Sequence, residues 1–80
     1  MTVPVVLPEL GGLPATLSLW LASPGDPVIE GDRLVEVLVG PTATFDVSAP
    51  ATGRLIEQLA GPRDRLTAGQ VLGTVEEEAL

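Results

Sequence analysis

Two stretches of the chain read alike: LASPGDPVIEGDRLVEV, from Leu21 to Val37, and LAGPRDRLTAGQVLGTV, from Leu59 to Val75. A shift of 38 residues (59 − 21) lays Leu21 on Leu59, Ala22 on Ala60, Pro24 on Pro62 and Asp26 on Asp64. The same shift lays Val28 on Leu66, Gly31 on Gly69, Leu34 on Leu72 and Val37 on Val75. Each copy reads strand, Pro/Asp turn, short apolar pair, glycine turn, strand. Neither copy can bury a face alone, so the two are expected to pack as two small sheets face to face with approximate two-fold symmetry. Asp26 and Asp64 are placed for a carboxylate oxygen to bond the backbone two residues on and close a turn. Gly31 and Gly69 supply the left-handed conformation that lets the chain re-enter a sheet.

Outward from the repeat the same texture continues. Prolines and glycines recur roughly every eight to twelve residues with short apolar runs between them, the spacing of an all-β sandwich or barrel. Strands are expected at Val3 to Leu7, Thr16 to Leu21, Arg33 to Val39, Thr44 to Val47, Arg54 to Leu59 and Val71 to Val75. Pro27-Val28-Ile29 and Arg65-Leu66-Thr67 add two short edge strands. A helix is excluded nearly everywhere by Pro or Gly breaks, and elsewhere by β-branched residues. Trp20 and Phe45, the only aromatics, are expected to anchor the core because large side chains dominate burial in a small domain. One domain spans 1–76. Residues 77–80 form an acidic tail, and Glu76-Glu77-Glu78-Ala79-Leu80 reads as a solvated, frayed end rather than a cation site.

Composition narrows the function. The 80 residues include no cysteine, no histidine and no tyrosine. Disulfides, thiolate metal sites, cysteine nucleophiles and the commonest general base are thereby excluded. An enzyme is not expected, nor is a bound metal or cofactor. Eleven acids against four arginines give a net charge of −7. That balance argues against nucleic acid, whose phosphates demand cationic side chains, and favours solubility and basic partner surfaces. No apolar run approaches the roughly 20 residues of a membrane span. The Met1-Thr2-Val3-Pro4 start lacks a signal-like character, so a cytoplasmic protein is expected. The Lys+Arg total of 4 is accounted for by Arg33, Arg54, Arg63 and Arg65, so the sequence contains no lysine. Bias toward Arg, Gly, Ala and Pro explains that as well as selective loss does.

An ordered set of segments resembles the lipoyl/biotinyl-attachment domain family, the barrel-sandwich hybrid. Val5-Val6-Leu7-Pro8-Glu9-Leu10-Gly11 is similar to the opening of lipoyl domains. Leu19-Trp20-Leu21, Pro24-Gly25-Asp26-Pro27-Val28 and Glu30-Gly31-Asp32 resemble their core signature. Leu34-Val35-Glu36-Val37 resembles the strand into the swinging-arm hairpin, and Ala43 to Pro50 with Gly53 the strand leaving it. Leu66 and Gly69-Gln70-Val71-Leu72 resemble the closing turn and strand. The resemblance covers nearly the whole chain. It implies an all-β hybrid of two small antiparallel sheets with pseudo-two-fold symmetry.

In that family a lysine at the tip of a tight hairpin carries the lipoyl or biotinyl group. Here the attachment hairpin is degenerate and reads Val39, then Gly40, Pro41, Thr42 and Ala43. Counting back from Pro50 places the lysine position at Thr42; counting forward from Gly31 places it at Pro41. The hairpin thus reads as one residue longer than usual, and neither residue has an amine. Acidic neighbours of the lysine, or flanking methionines, are replaced by Leu38, Val39, Gly40 and Pro41. Proline fixes φ near −65° and removes a donor, which makes a stiff turn. The resemblance therefore implies a lipoyl-like binding or scaffold module that cannot be lipoylated or biotinylated. A vestigial or regulatory relative of the lipoyl domain of a 2-oxo acid dehydrogenase acyltransferase complex is the alternative. Leu38, Val39 and Pro41 are the candidate contacts to a protein partner, such as a component of that type of complex.

Overall fold

The computed structural model describes residues 1–79, and they form eight strands with no helix. In chain order these are β1 (Thr2–Val6), β2 (Ala15–Trp20), β3 (Pro27–Val28), β4 (Arg33–Val39), β5 (Ala43–Ser48), β6 (Gly53–Gln58), β7 (Arg65–Leu66) and β8 (Val71–Glu77). They assemble into two antiparallel four-stranded sheets, ordered β1-β8-β6-β3 and β5-β4-β2-β7. No helix among the described residues is long and apolar enough to cross a membrane.

The 38-residue repeat is the symmetry of the fold. It carries β2 onto β6, β3 onto β7 and β4 onto β8, while β1 and β5 take matching edge places. Even the irregularities repeat. The β2–β4 ladder slips between Leu17 and Leu19, and the β6–β8 ladder slips between Leu55 and Glu57. Leu34 and Leu72 likewise fall at the slips of the β4–β5 and β1–β8 ladders. Such bulges add local twist, which lets a short sheet curl over its partner. Gly31 and Gly69 are left-handed as expected, at φ +94° and +84°. Their N–H groups donate to Ala49 and Leu7 carbonyls at 3.0 and 2.7 Å.

The turn carboxylates act differently from expectation. Asp26 Oδ2 accepts from the Ser23 N–H at 2.8 Å, and Asp64 Oδ2 from the Gly61 N–H at 2.8 Å. Each reaches three residues back instead of two forward, capping the start of its turn. At the second turn position the halves diverge: Gly25 has φ +94°, whereas its counterpart Arg63 sits at φ +72°. Left-handed backbone costs an L-residue about 1–2 kcal/mol, and glycine's freedom when unfolded takes back about 0.4–1 kcal/mol. Arg63→Gly is therefore expected to stabilise the protein by roughly 0.5–1 kcal/mol. A urea midpoint that rises at unchanged slope is the result expected; a lower midpoint would contradict it.

The core is aliphatic. Leu7, Leu17, Leu34, Leu55, Leu72, Val5, Val35, Val37 and Val75 are its largest fully buried side chains. Fully burying each such side chain is worth about 1.5–3 kcal/mol against leaving it exposed. Phe45 is not an anchor. It lies on edge strand β5, which pairs only with β4, and is 38% exposed, whereas Val47 on the same strand is buried. Trp20 is half-buried against the core, and its Nε1–H donates to the Ala60 carbonyl at 2.8 Å. It thereby ties the end of β2 to the segment after β6.

The acidic end is also more ordered than expected. β8 runs through Glu77, with Glu76 opposite Thr2 on one side and Arg54 on the other. The Glu78 N–H then donates to the Thr52 carbonyl at 2.8 Å. Backbone pairing on both flanks of β8 overrides the repulsion of neighbouring carboxylates. Of the tail, Leu80 lies outside the described residues.

Candidate functional site

The hairpin between β4 and β5 closes with Val39 opposite Ala43, leaving a tip of three residues, Gly40, Pro41 and Thr42. Gly40 is left-handed at φ +59°. Its N–H donates to the Pro14 carbonyl at 2.9 Å, which fastens the base of the tip to the loop between β1 and β2. A Cβ on Gly40 would stand 3.8 and 3.9 Å from the two Leu13 methyls. Next comes Pro41, whose ring holds φ and lacks a donor. The tip is thus fixed from one side by a hydrogen bond and from the other by covalent geometry. Pro41, Thr42 and Ala43 are exposed.

Strand alternation separates the three expected contact residues. Leu38 is 45% exposed, flanked in register by Thr16 on β2 and Thr44 on β5. Val39 is only 6% exposed and belongs to the core cluster, so it cannot contact a partner. The accessible apolar groups near the tip include Leu38, Pro41 and Leu13. Leu13 and Pro14 were not legible as hairpin neighbours, because nothing local in Gly12-Leu13-Pro14 indicates which strand end the loop will meet.

Charge lies lower on the hairpin. Glu36 and Asp46 stand directly opposite each other, a repulsive placement. Arg33 Nε relieves it by donating to Asp46 Oδ2 at 2.8 Å. No group of three or more acidic side chains among the described residues is arranged to hold a metal ion. The amine at Met1 lies in the other sheet, 3.5 Å from Glu76 Oε1. What the tip offers chemically is one secondary hydroxyl, a proline ring and backbone.

No protein-family model matches the chain. The dihydrolipoyllysine-residue succinyltransferase component of the 2-oxoglutarate dehydrogenase complex of Bacillus subtilis (strain 168) is 34% identical over 64 residues. The aligned region is 80% of this chain but 15% of that protein, so the chain spans a small part of the length of this curated relative. The solution structure of the lipoyl domain of the 2-oxoglutarate dehydrogenase complex from Azotobacter vinelandii superposes with a TM-score of 0.70. That comparison covers 99% of both chains at 20% identity, a likeness of fold.

Proposed function

Because the chain is lipoyl-domain-like, with the lipoyl-domain fold, we propose that it is a non-catalytic binding or scaffold module that carries neither a lipoyl nor a biotinyl group. The observation that supports this is the tip itself, Gly40-Pro41-Thr42, which presents no amine. Attachment of either group by an amide needs a primary amine at an accessible turn. Thr42 offers a hydroxyl, a weak nucleophile unless a base activates it, and the sequence contains no histidine or lysine to do so. The module works in the cytoplasm through protein contacts, with Leu38 and Pro41 as the exposed apolar groups beside the old attachment position.

A second reading is favoured by the Bacillus subtilis relative: a vestigial or regulatory form of an acyltransferase lipoyl domain that still visits a 2-oxo acid dehydrogenase complex. Binding to a dehydrogenase component of such a complex separates it from a scaffold of other use.

Incubation with lipoate–protein ligase, lipoic acid and ATP, followed by intact mass measurement, tests the central claim. A lysine-bearing lipoyl domain in the same mixture serves as the positive control. The mass of this chain is expected to stay unchanged while the control gains one lipoyl group. Any stoichiometric lipoyl addition to this chain would overturn the proposal.

A further inference from the structure

Away from the hairpin, a groove of about 380 Å³ runs along β3, the start of β6 and the end of β8. Val28, Ile29 and Ile56 line it together with three consecutive carboxylates, Glu76, Glu77 and Glu78. This volume lies within the range of about 300–1,000 Å³ usual for binding clefts. Ile29 and Ile56 are the chain's two isoleucines, and they remain 65% and 46% exposed.

The internal symmetry shows that the fold does not require apolar residues here. Under the 38-residue shift Ile29 corresponds to Thr67 and Ile56 to Ser18. The other half builds the same turn and the same bulge with hydroxyl side chains at these positions. Two exposed isoleucines in one groove therefore have no counterpart in the packing requirement. What sets the place apart is that both side chains line one concave groove and share it with carboxylates, the mixed apolar and polar lining usual for a binding cleft.

The electrostatics narrow the occupant. Arg54 is the one cation among the groove-lining residues, and its Nη1 donates to the Gly25 carbonyl at 2.9 Å. Glu76 faces the Met1 amine at 3.5 Å and the Thr2 hydroxyl at 2.9 Å. Among the described residues Glu77 and Glu78 make no ion pair. The whole chain carries −7, so its field adds to theirs and repels anions. We infer that this groove docks a short segment of a protein partner that combines bulky aliphatic side chains with arginine or lysine. The aliphatic groups cover Ile29 and Ile56, and the cations meet Glu77 and Glu78. This inference goes beyond the hairpin and stands whether or not the tip carries a group.

The two isoleucines make the test direct. With isoleucine δ1-methyl labelling, the chain gives two methyl signals, both from the groove. Titration with a synthetic six-residue peptide alternating leucine and arginine is expected to shift both signals saturably. Analogues with glutamate for arginine, or serine for leucine, are expected to bind about tenfold more weakly or worse. The Glu77→Gln/Glu78→Gln double variant keeps both reporters and both isoleucines, and should bind the first peptide roughly threefold more weakly or worse. Unmoved methyl signals with the leucine–arginine peptide would sink the inference. Equal binding of the serine analogue would reduce the groove to a general acidic surface and overturn it as well.

Discussion

Gly53→Ala is expected to destabilise the protein by about 2–4 kcal/mol, more than most single overpacking changes. Gly53 opens β6 and is paired on both sides, with Val28 of β3 and Glu77 of β8. A Cβ there would lie 1.8 Å from the Glu76 carbonyl oxygen, 2.8 Å from its carbon and 3.0 Å from Glu77 Cα. All three are backbone atoms, so no side-chain rotation makes room. Relief requires β8 to move away from β6, which breaks ladder bonds and the Glu78-to-Thr52 hydrogen bond beyond them. Domains of this size often hold only about 3–5 kcal/mol in total. A large unfolded fraction at 25 °C should follow, visible as a lower urea midpoint in Trp20 fluorescence. A midpoint within error of the parent protein would show that β8 yields freely at Glu76.

Leu55→Ala should be nearly as damaging, at about 3–4 kcal/mol, by the opposite mechanism. The side chain is fully buried, and Val75 stands opposite it in the ladder. Its backbone is clamped on the other side: the Leu55 N–H donates to the Asp26 carbonyl, and its own carbonyl accepts from the Gly25 N–H. Those bonds hold the strand in place, so the site cannot collapse to fill the void. The exposed Leu38 provides the contrast, since its truncation removes little packing and should change stability by no more than about 0.5 kcal/mol. Parallel thermal melts of the two variants check the difference; similar losses would mean that Leu55 is not held as tightly as the hydrogen bonds indicate.

Much of the architecture is legible in the repeat. Glycine and aspartate at matched turns, with apolar pairs between them, are local signals that survive in any surroundings. They locate β3 and β7 despite a length of two residues each. The bulges are not legible, because a slipped ladder depends on which residue stands across the sheet. The aromatics mislead for a related reason. Size alone does not decide burial: Phe45 is 38% exposed while Val47, two residues on in the same strand, is buried. Val39 shows the limit at the hairpin: its apolar character is plain, but its inward direction depends on the strand's phase with respect to the core. The order of Glu76 to Glu78 was hidden as well. Charge runs favour solvent, and only the presence of β1 and β6 on either side draws Glu76 and Glu77 into strand. The groove owes its chemistry to Ile29 and Ile56, 27 residues apart (56 − 29), which only the folded chain brings together.

The pairing of β1 with β8 has a mechanical consequence. Thr2 stands opposite Glu76, and the Glu77 N–H donates to the Met1 carbonyl at 2.8 Å. Tension applied at residues 1 and 78 thus acts on neighbouring antiparallel strands from the same end. The ladder bonds between them run perpendicular to the strands, so the load falls on one bond at a time. They open in sequence, as a zipper does, with no row of bonds sharing the force. A domain held together by its aliphatic core is in this direction compliant, peeling from β1 inward at low force.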